Sequence, residues 1–240
     1  MAEGQPKTLV AVIFYNERGR LRDTLSRFPS ARDYDVLVVD DGSTDESAGD
    51  AGASGFRVIR HETNRGVGAA IRTAAHVALA EDYARFVVTA GSGKLAPEEL
   101  PAVLDPLRRG VCDYTQGTRF LDGDRTANLP RHRKWMIKAF NVLVFVLTGR
   151  WHTDITCGYR AYATALLRDP RVNLEQSWLD GYEMEYYLHY KALTGPYRIL
   201  EVPVSVVYPA DEPEYSKIRP IVDWIAIVRP WFLLRLGLRR

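Results

Sequence analysis

Val36-Leu-Val-Val-Asp-Asp-Gly-Ser-Thr-Asp-Glu46 is the stretch that decides the fold. Its four aliphatic residues read as a buried strand, and the run then breaks into acids, glycine and hydroxyls. Such a strand delivers two carboxylates, Asp40 and Asp41, to its carboxyl end. Ser43-Thr-Asp-Glu46 has the spacing of a capping box, which predicts a helix opening there.

The same unit repeats on either side. Leu9 to Tyr15 is an apolar, β-branched strand, and Arg18 to Phe28 reads as a helix. Phe56 to Arg60 is a third strand, and Asn64-Arg-Gly-Val-Gly68 leads into a helix over Ala69 to Ala80. Phe86 to Thr89 is a fourth strand, ending in Ala-Gly-Ser-Gly, with a further helix over Pro97 to Arg108. This alternation predicts an α/β domain of three layers around a mostly parallel sheet. Such sheets bind ligands beyond the carboxyl ends of their strands. Asp40, Asp41, Asn64, Arg65 and the loop from Thr89 to Lys94 are therefore the first candidates for a site.

The rest of the chain bounds the function. Its 240 residues are 46% hydrophobic and 26% charged, an ordinary globular composition that excludes a disordered or disulfide-scaffold protein. The formal net charge is only +2, so no global basicity points to nucleic acid. Two cysteines, Cys112 and Cys157, are too few for a zinc site or a disulfide framework and fit a reducing cytoplasm. No secretory leader or membrane-spanning run is expected. Two phosphate-binding motifs fail. Gly91-Ser-Gly-Lys94 has Leu95 where a P-loop needs Ser or Thr, and Gly66-Val-Gly68 has Ile71 in place of the third glycine of a dinucleotide fingerprint.

Six segments in series are more specific. They are Tyr15-Asn-Glu17, Val38-Val-Asp-Asp-Gly-Ser-Thr-Asp45, Asn64-Arg-Gly-Val-Gly-Ala-Ala70, Gln116-Gly-Thr-Arg-Phe120, Thr153-Asp-Ile-Thr-Cys-Gly-Tyr-Arg-Ala-Tyr162 and Tyr215-Ser-Lys217. Together they resemble the family 2 glycosyltransferases of the dolichol-phosphate mannosyltransferase-like group, over roughly residues 8–220. The resemblance implies a GT-A fold, a nucleotide-sugar donor and transfer with inversion. It divides the chain into a GT-A domain over 1–217, with a donor part at about 8–115 and an acceptor part at about 116–217, followed by a basic amphipathic segment over 218–240.

Donor binding is expected at Tyr15, Asn16, Glu17, Asp40, Asp41, Asn64, Arg65, Gly91 and Ser92, with Lys217 and Arg219 nearby. Carboxylates accept hydrogen bonds from a base or a ribose, and Asp41 is favoured for the base. The plain alternative is a turn and helix cap, which suits Ser43 and Asp45 better than the acid pair. The family holds Mg²⁺ or Mn²⁺ through an aspartate after the fourth strand, and Ser92 stands at that position. A lone hydroxyl is a poor ligand for either ion. Lys94, with Lys217 and Arg219, would then supply fixed positive charge for the leaving diphosphate. A weakly held metal or a loss of catalysis are the other readings.

By the same resemblance, Arg119 and a basic residue near Arg131 and Arg133 meet an acceptor phosphate, and Asp154 and Arg160 position the sugar and acceptor. An Asp–Arg ion pair is the structural alternative. Glu183 and Glu185 are further carboxylate candidates, of which the two-residue spacing predicts that one faces the site. Ile218, Ile221, Val222, Ile225, Val228 and Phe232 follow helical spacing among basic residues and Trp224 and Trp231, with Pro230 breaking or kinking the helix. That pattern suits a helix lying on a membrane, or one packed on the catalytic domain. The expectation is a cytoplasmic, membrane-peripheral enzyme moving a hexose from a UDP- or GDP-sugar to a polyprenyl phosphate. A small-molecule acceptor, or a non-catalytic nucleotide-sugar binder, are the alternatives.

Overall fold

A computed structural model of the chain describes residues 6–208 and 222–239. The elements run in this order: β1 (Thr8–Phe14), α1 (Gly19–Ser26), β2 (Asp35–Asp40), α2 (Ser47–Ala53), β3 (Arg57–Arg60), α3 (Val67–Ala80), β4 (Arg85–Ala90), α4 (Leu100–Arg108), β5 (Tyr114–Thr118), β6 (Thr126–Ala127), α5 (Arg131–Thr148), β7 (Arg160–Ala163), α6 (Thr164–Leu167), α7 (Glu183–Thr194), β8 (Ile199–Pro203), β9 (Val206–Val207) and α8 (Val222–Arg235). Seven strands form the main sheet in the order β3-β2-β1-β4-β7-β5-β8. Within it β7 alone pairs antiparallel, with β4 and with β5.

All seven residues of β1 are buried, as expected of a central strand covered on both faces. Strand alternation divides them between two layers. Val10, Val12 and Phe14 join Leu21, Leu25 and Leu104 from α1 and α4. Leu9, Ala11 and Ile13 join Ala70, Ile71 and Ala74 of α3 and Tyr187 of α7. A third cluster lies beside these layers, where Phe140 and Val144 of α5, Tyr186 and Leu193 of α7, and Ile227 and Trp231 of α8 pack together.

Two local expectations change. The capping box does not form: α2 starts at Ser47, and Ser43 instead accepts the backbone N–H of Asn16 at 2.9 Å. Asp45 caps the turn, accepting the N–H of Ser47 at 3.1 Å and that of Arg18 at 3.1 Å. The hydroxyls and acids after β2 thus tie two loops together rather than start a helix. Pro230 neither breaks nor ends α8, which runs through it to Arg235.

Two histidines lie in the interior beside α8. The rings of His152 and His189 are 5.0 Å apart between centroids, and His189 contacts Trp231 at 5.7 Å. Burial, and then the charge of Arg150, lower the His152 pKa to about 4 from 6.5, and burial also holds His189 well below its ordinary value. The unfolded chain therefore takes up protons that the fold refuses. Stability contributed by His152 is whole above pH 6.5 and drains away as pH falls toward 4. Urea unfolding should show a loss of about 3 kcal/mol from this residue across that window. The His152→Leu variant should show a correspondingly smaller decline.

Candidate active site

The ends of β1, β2 and β4 open on one cavity of about 1070 Å³. Its wall includes Tyr15, Asn16, Glu17, Asp41, Asn64, Ser92, Lys94, Arg119, Arg133, Glu183 and Glu185. Residues from both halves of the sequence therefore share one space. The structure places it where the sheet rule puts a ligand, beyond the carboxyl ends of the strands.

The donor end is built from backbone as much as from side chains. Asp41 is 2% exposed. Its Oδ1 accepts the N–H of Arg65 at 3.0 Å and that of His61 Nδ1 at 2.8 Å, and its Oδ2 accepts the N–H of Gly66 at 2.8 Å. Glycine is required on both sides of this contact. Gly42 has φ +78°, and a Cβ on it would lie 2.4 Å from the Thr63 carbonyl carbon. Gly66 has φ +103°, and a Cβ there would lie 2.4 Å from the Asp180 carbonyl oxygen. The loop preceding α3 thereby closes directly over the end of β2.

Asp40 has a different task. It is 1% exposed, accepts the Ser43 N–H at 2.8 Å and meets Arg60 at 3.3 Å, so it holds its own turn and stays out of the cavity wall. The Arg65 side chain is exposed and also lies outside the wall; its backbone N–H does the work. Gly91 is a packing residue, because a Cβ there would come 2.6 Å from Leu21 Cδ1. Ser92 and Lys94 do reach the cavity, and the Lys94 ammonium lies 5.9 Å from the centre of the Tyr208 ring.

The loop after β4 was expected to show whether a metal can be held. It presents a serine hydroxyl and a lysine ammonium to the cavity. Mg²⁺ and Mn²⁺ favour carboxylate oxygens, and an ammonium repels them. Among the described residues no group of three or more His, Cys, Asp or Glu is arranged to hold a metal ion. This donor set does not fit the divalent ion that the resemblance implies.

The acceptor end is organised by one ion pair. The Arg119 guanidinium binds Asp154 through Nε and through Nη2, the latter at 2.8 Å. Nη2 also donates to Thr156, and Nη1 donates to the Tyr208 hydroxyl at 2.7 Å. Burial works against the Arg119 charge, but the Asp154 carboxylate outweighs it and holds the guanidinium pKa above its ordinary value. Asp154 is completely buried, and its partners are Arg119 and Thr156. It is placed to hold Arg119, not to touch a substrate.

Arg160 is likewise completely buried. It donates to the carbonyls of Cys157 at 3.1 Å and Ile155 at 2.9 Å, which fixes the loop before β7. It therefore does not reach an acceptor. Arg131 is exposed on the first turn of α5 outside the wall, whereas Arg133 faces the cavity and lies 5.7 Å from the Tyr208 ring. Both Glu183 and Glu185 line the cavity. The spacing argument anticipated one, but it applies along a helix side, and both residues sit in the first turn of α7 with the cavity beyond its end. Lys217 and Arg219 lie outside the described residues.

Some wall residues carry no motif in the sequence. Asp223, Trp224 and Arg229 of α8 line the cavity, and Arg229 pairs with Glu183. The excess of basic residues after position 217 was the one signal available for them. Tyr208, on the wall, and His61, which is bonded to Asp41 but lies off the wall, carry no motif either.

A three-layer α/β domain with a cavity of this size at its strand ends, lined by acids and by cations, has the form of a nucleotide-binding enzyme domain. The chain belongs to glycosyl transferase family 2, whose sequence profile matches residues 9–169. It is 33% identical to the polyprenol monophosphomannose synthase of Mycolicibacterium smegmatis over 206 residues, covering 83% of this chain and 77% of that protein. It is 32% identical to the undecaprenyl-phosphate mannosyltransferase of Micrococcus luteus over 208 residues, covering 84% of each. Among solved structures it resembles glucosyl-3-phosphoglycerate synthase from Mycobacterium tuberculosis in complex with Mn²⁺, UDP and phosphoglyceric acid. That match has a TM-score of 0.70 and 19% identity, and covers 98% of this chain and 80% of that one.

Removing Asp154 should leave the Arg119 guanidinium buried without its counter-charge. Asp154→Ala should cost about 3–5 kcal/mol of folding stability in urea unfolding. The same substitution at the exposed Asp122, paired with Arg125 at the surface, should leave the unfolding midpoint nearly unchanged.

Proposed function

We propose that the protein transfers a hexose from a UDP- or GDP-sugar to a polyprenyl phosphate, with inversion at the anomeric carbon. The observation that carries this reading is the single cavity with Asp41 at one end and Lys94, Arg119 and Arg133 along it. Asp41 offers an acceptor to the base, and Asn64 and Glu17 line the same cavity. Ser92 and Lys94 follow directly after β4 on the same cavity wall, and the diphosphate is assigned to them when the base is at Asp41.

In this mechanism a phosphate oxygen of the acceptor attacks the anomeric carbon. The bond from that carbon to the β-phosphate oxygen breaks, and its electron pair leaves with the nucleoside diphosphate. A phosphomonoester is ionised at neutral pH because its second pKa is near ~6, so no base need remove a proton. Arg119 and Arg133 hold the acceptor phosphate, Arg119 with its orientation fixed by Asp154. Lys94 stabilises the charge that develops on the leaving diphosphate. The related mannosyltransferases act on polyprenyl phosphates, which supports the acceptor class.

The acceptor's lipid requires a membrane surface, and the structure offers an apolar one. No helix among the described residues is long and apolar enough to cross a membrane. However, α5 is apolar on two faces. Ile137, Phe140 and Val144 are buried, while Trp135 is 72%, Val142 49% and Val146 73% exposed. Lys138 and Arg131 border the outer face. On α8 the inner face is Ile227, Trp231 and Leu234, with Val228 half-buried at its edge, while Ile225 and Phe232 are exposed. Exposed apolar faces with basic edges suit a membrane interface, so the contact is assigned to α5 together with α8, not to the C-terminal segment alone.

Two measurements test this reading. Nucleotide should raise the melting temperature equally in Mg²⁺ and in chelator, whereas Ser92→Asp should make the shift depend on metal. Lys94→Met should lower kcat about 100- to 1000-fold with polyprenyl phosphate as acceptor. A chelator-sensitive shift in the unsubstituted protein would reject the role of Lys94. Separately, Trp135→Ser combined with Val146→Ser should reduce co-sedimentation with anionic phospholipid vesicles about tenfold or more while nucleotide affinity holds.

A further inference from the structure

We infer that His61 makes the donor site selective for uracil over guanine, by occupying an acceptor position on Asp41. The inference rests on the reading above that Asp41 receives the nucleotide base.

His61 is pinned before its side chain is considered. Its backbone N–H donates to the Asp40 carbonyl at 2.9 Å, extending the ladder between β2 and β3 by one residue. Its ring is buried, at 7% exposure. Nε2 lies 2.9 Å from Thr73 Oγ1 on α3, and with Nδ1 protonated it accepts the Thr73 hydroxyl proton. Nδ1 lies 2.8 Å from Asp41 Oδ1. An ionised carboxylate only accepts, so Nδ1 carries a proton and donates it. The ring is held at both nitrogens, from strand to helix.

A carboxylate has about four acceptor positions, two on each oxygen. Asp41 Oδ1 takes two N–H groups, from Arg65 and His61, and is filled. Oδ2 takes one, from Gly66. One position remains, on Oδ2. Uracil presents a single N–H on its pairing edge, at N3, between two carbonyl oxygens. Guanine presents two parallel donors, N1–H and N2–H, which call for both oxygens of a carboxylate. At Asp41 the second guanine donor meets an oxygen already occupied by His61. Left unpaired in a buried site, such a donor costs enough to weaken binding about tenfold or more.

Calorimetric titration of the full chain with UDP and with GDP tests this. The unsubstituted protein should bind UDP at least about tenfold tighter than GDP, and 3-methyl-UDP, which lacks the N3 proton, about tenfold weaker than UDP. His61→Leu vacates one position on Oδ1 and should narrow the UDP to GDP ratio. His61→Asn, whose side-chain amide can stand in for Nδ1–H, should keep it. A preference for GDP, equal binding of 3-methyl-UDP, or an unchanged ratio in a folded His61→Leu variant each overturns the inference. Asp41→Asn separates the two levels. If it leaves UDP affinity unchanged, the reading of Asp41 as the base acceptor fails. If it abolishes the preference while His61→Leu does not, the role of His61 alone fails.

Discussion

The Asp41 carboxylate is the contact on which the donor half of the molecule depends. It is delivered by the last turn of the chain out of β2, and it gathers N–H groups from His61, Arg65 and Gly66. Those donors belong to the segment between β3 and α3, so one side chain determines where α3 begins. Each bond is worth only about 1 kcal/mol net, but a buried carboxylate left short of partners would cost several times that. The glycines at 42 and 66 follow from the same closeness, since a side chain at either would strike backbone. The carboxylate on the cavity wall and the structural clasp are thus the same atoms.

The acceptor half is organised by the opposite device. Arg119 is buried, and its charge is made tolerable by Asp154, Thr156 and Tyr208. These partners come from the loop before β7 and the residue after β9, so the charge is fixed in place by two separate parts of the chain. A guanidinium held this way keeps its orientation when a phosphate arrives. The pair also carries no net charge, and Lys94 and Arg133 are further cations of the cavity wall.

The donor half was legible because its chemistry is local. A buried strand followed at once by Asp-Asp-Gly-Ser announces both the sheet and the residues at its edge, and the order of strands and helices over residues 8–108 agrees with that reading. What sequence order could not supply is direction. Asp40 and Asp41 are adjacent and chemically identical, and strand alternation turns one into its own loop and the other into the cavity. Arg119, Asp154 and Arg160 were each candidates, but their partners are set by tertiary packing. Arg119 took the carboxylate, leaving Arg160 to bind backbone carbonyls in the interior. His61 lies outside any motif, and only the pairing of β3 with β2 brings it to Asp41.

The C-terminal helix shows why a hydrophobic pattern alone could not fix the membrane side. In α8 the stripe read from the sequence runs through Ile225, Val228 and Phe232, yet the core takes Ile227, Trp231 and Leu234, with Val228 half-buried at its edge. The choice is made by what faces them. Phe140 on α5 and Tyr190 on α7 offer aromatic edges to Trp231, at 6.2 Å and 5.9 Å between ring centres. Seating Trp231 there brings Arg229 to Glu183 and Asp223 to the cavity wall, and it turns the remaining apolar residues outward. One packing decision therefore completes the site and exposes the surface next to it. A lipid-linked acceptor would need those two results together.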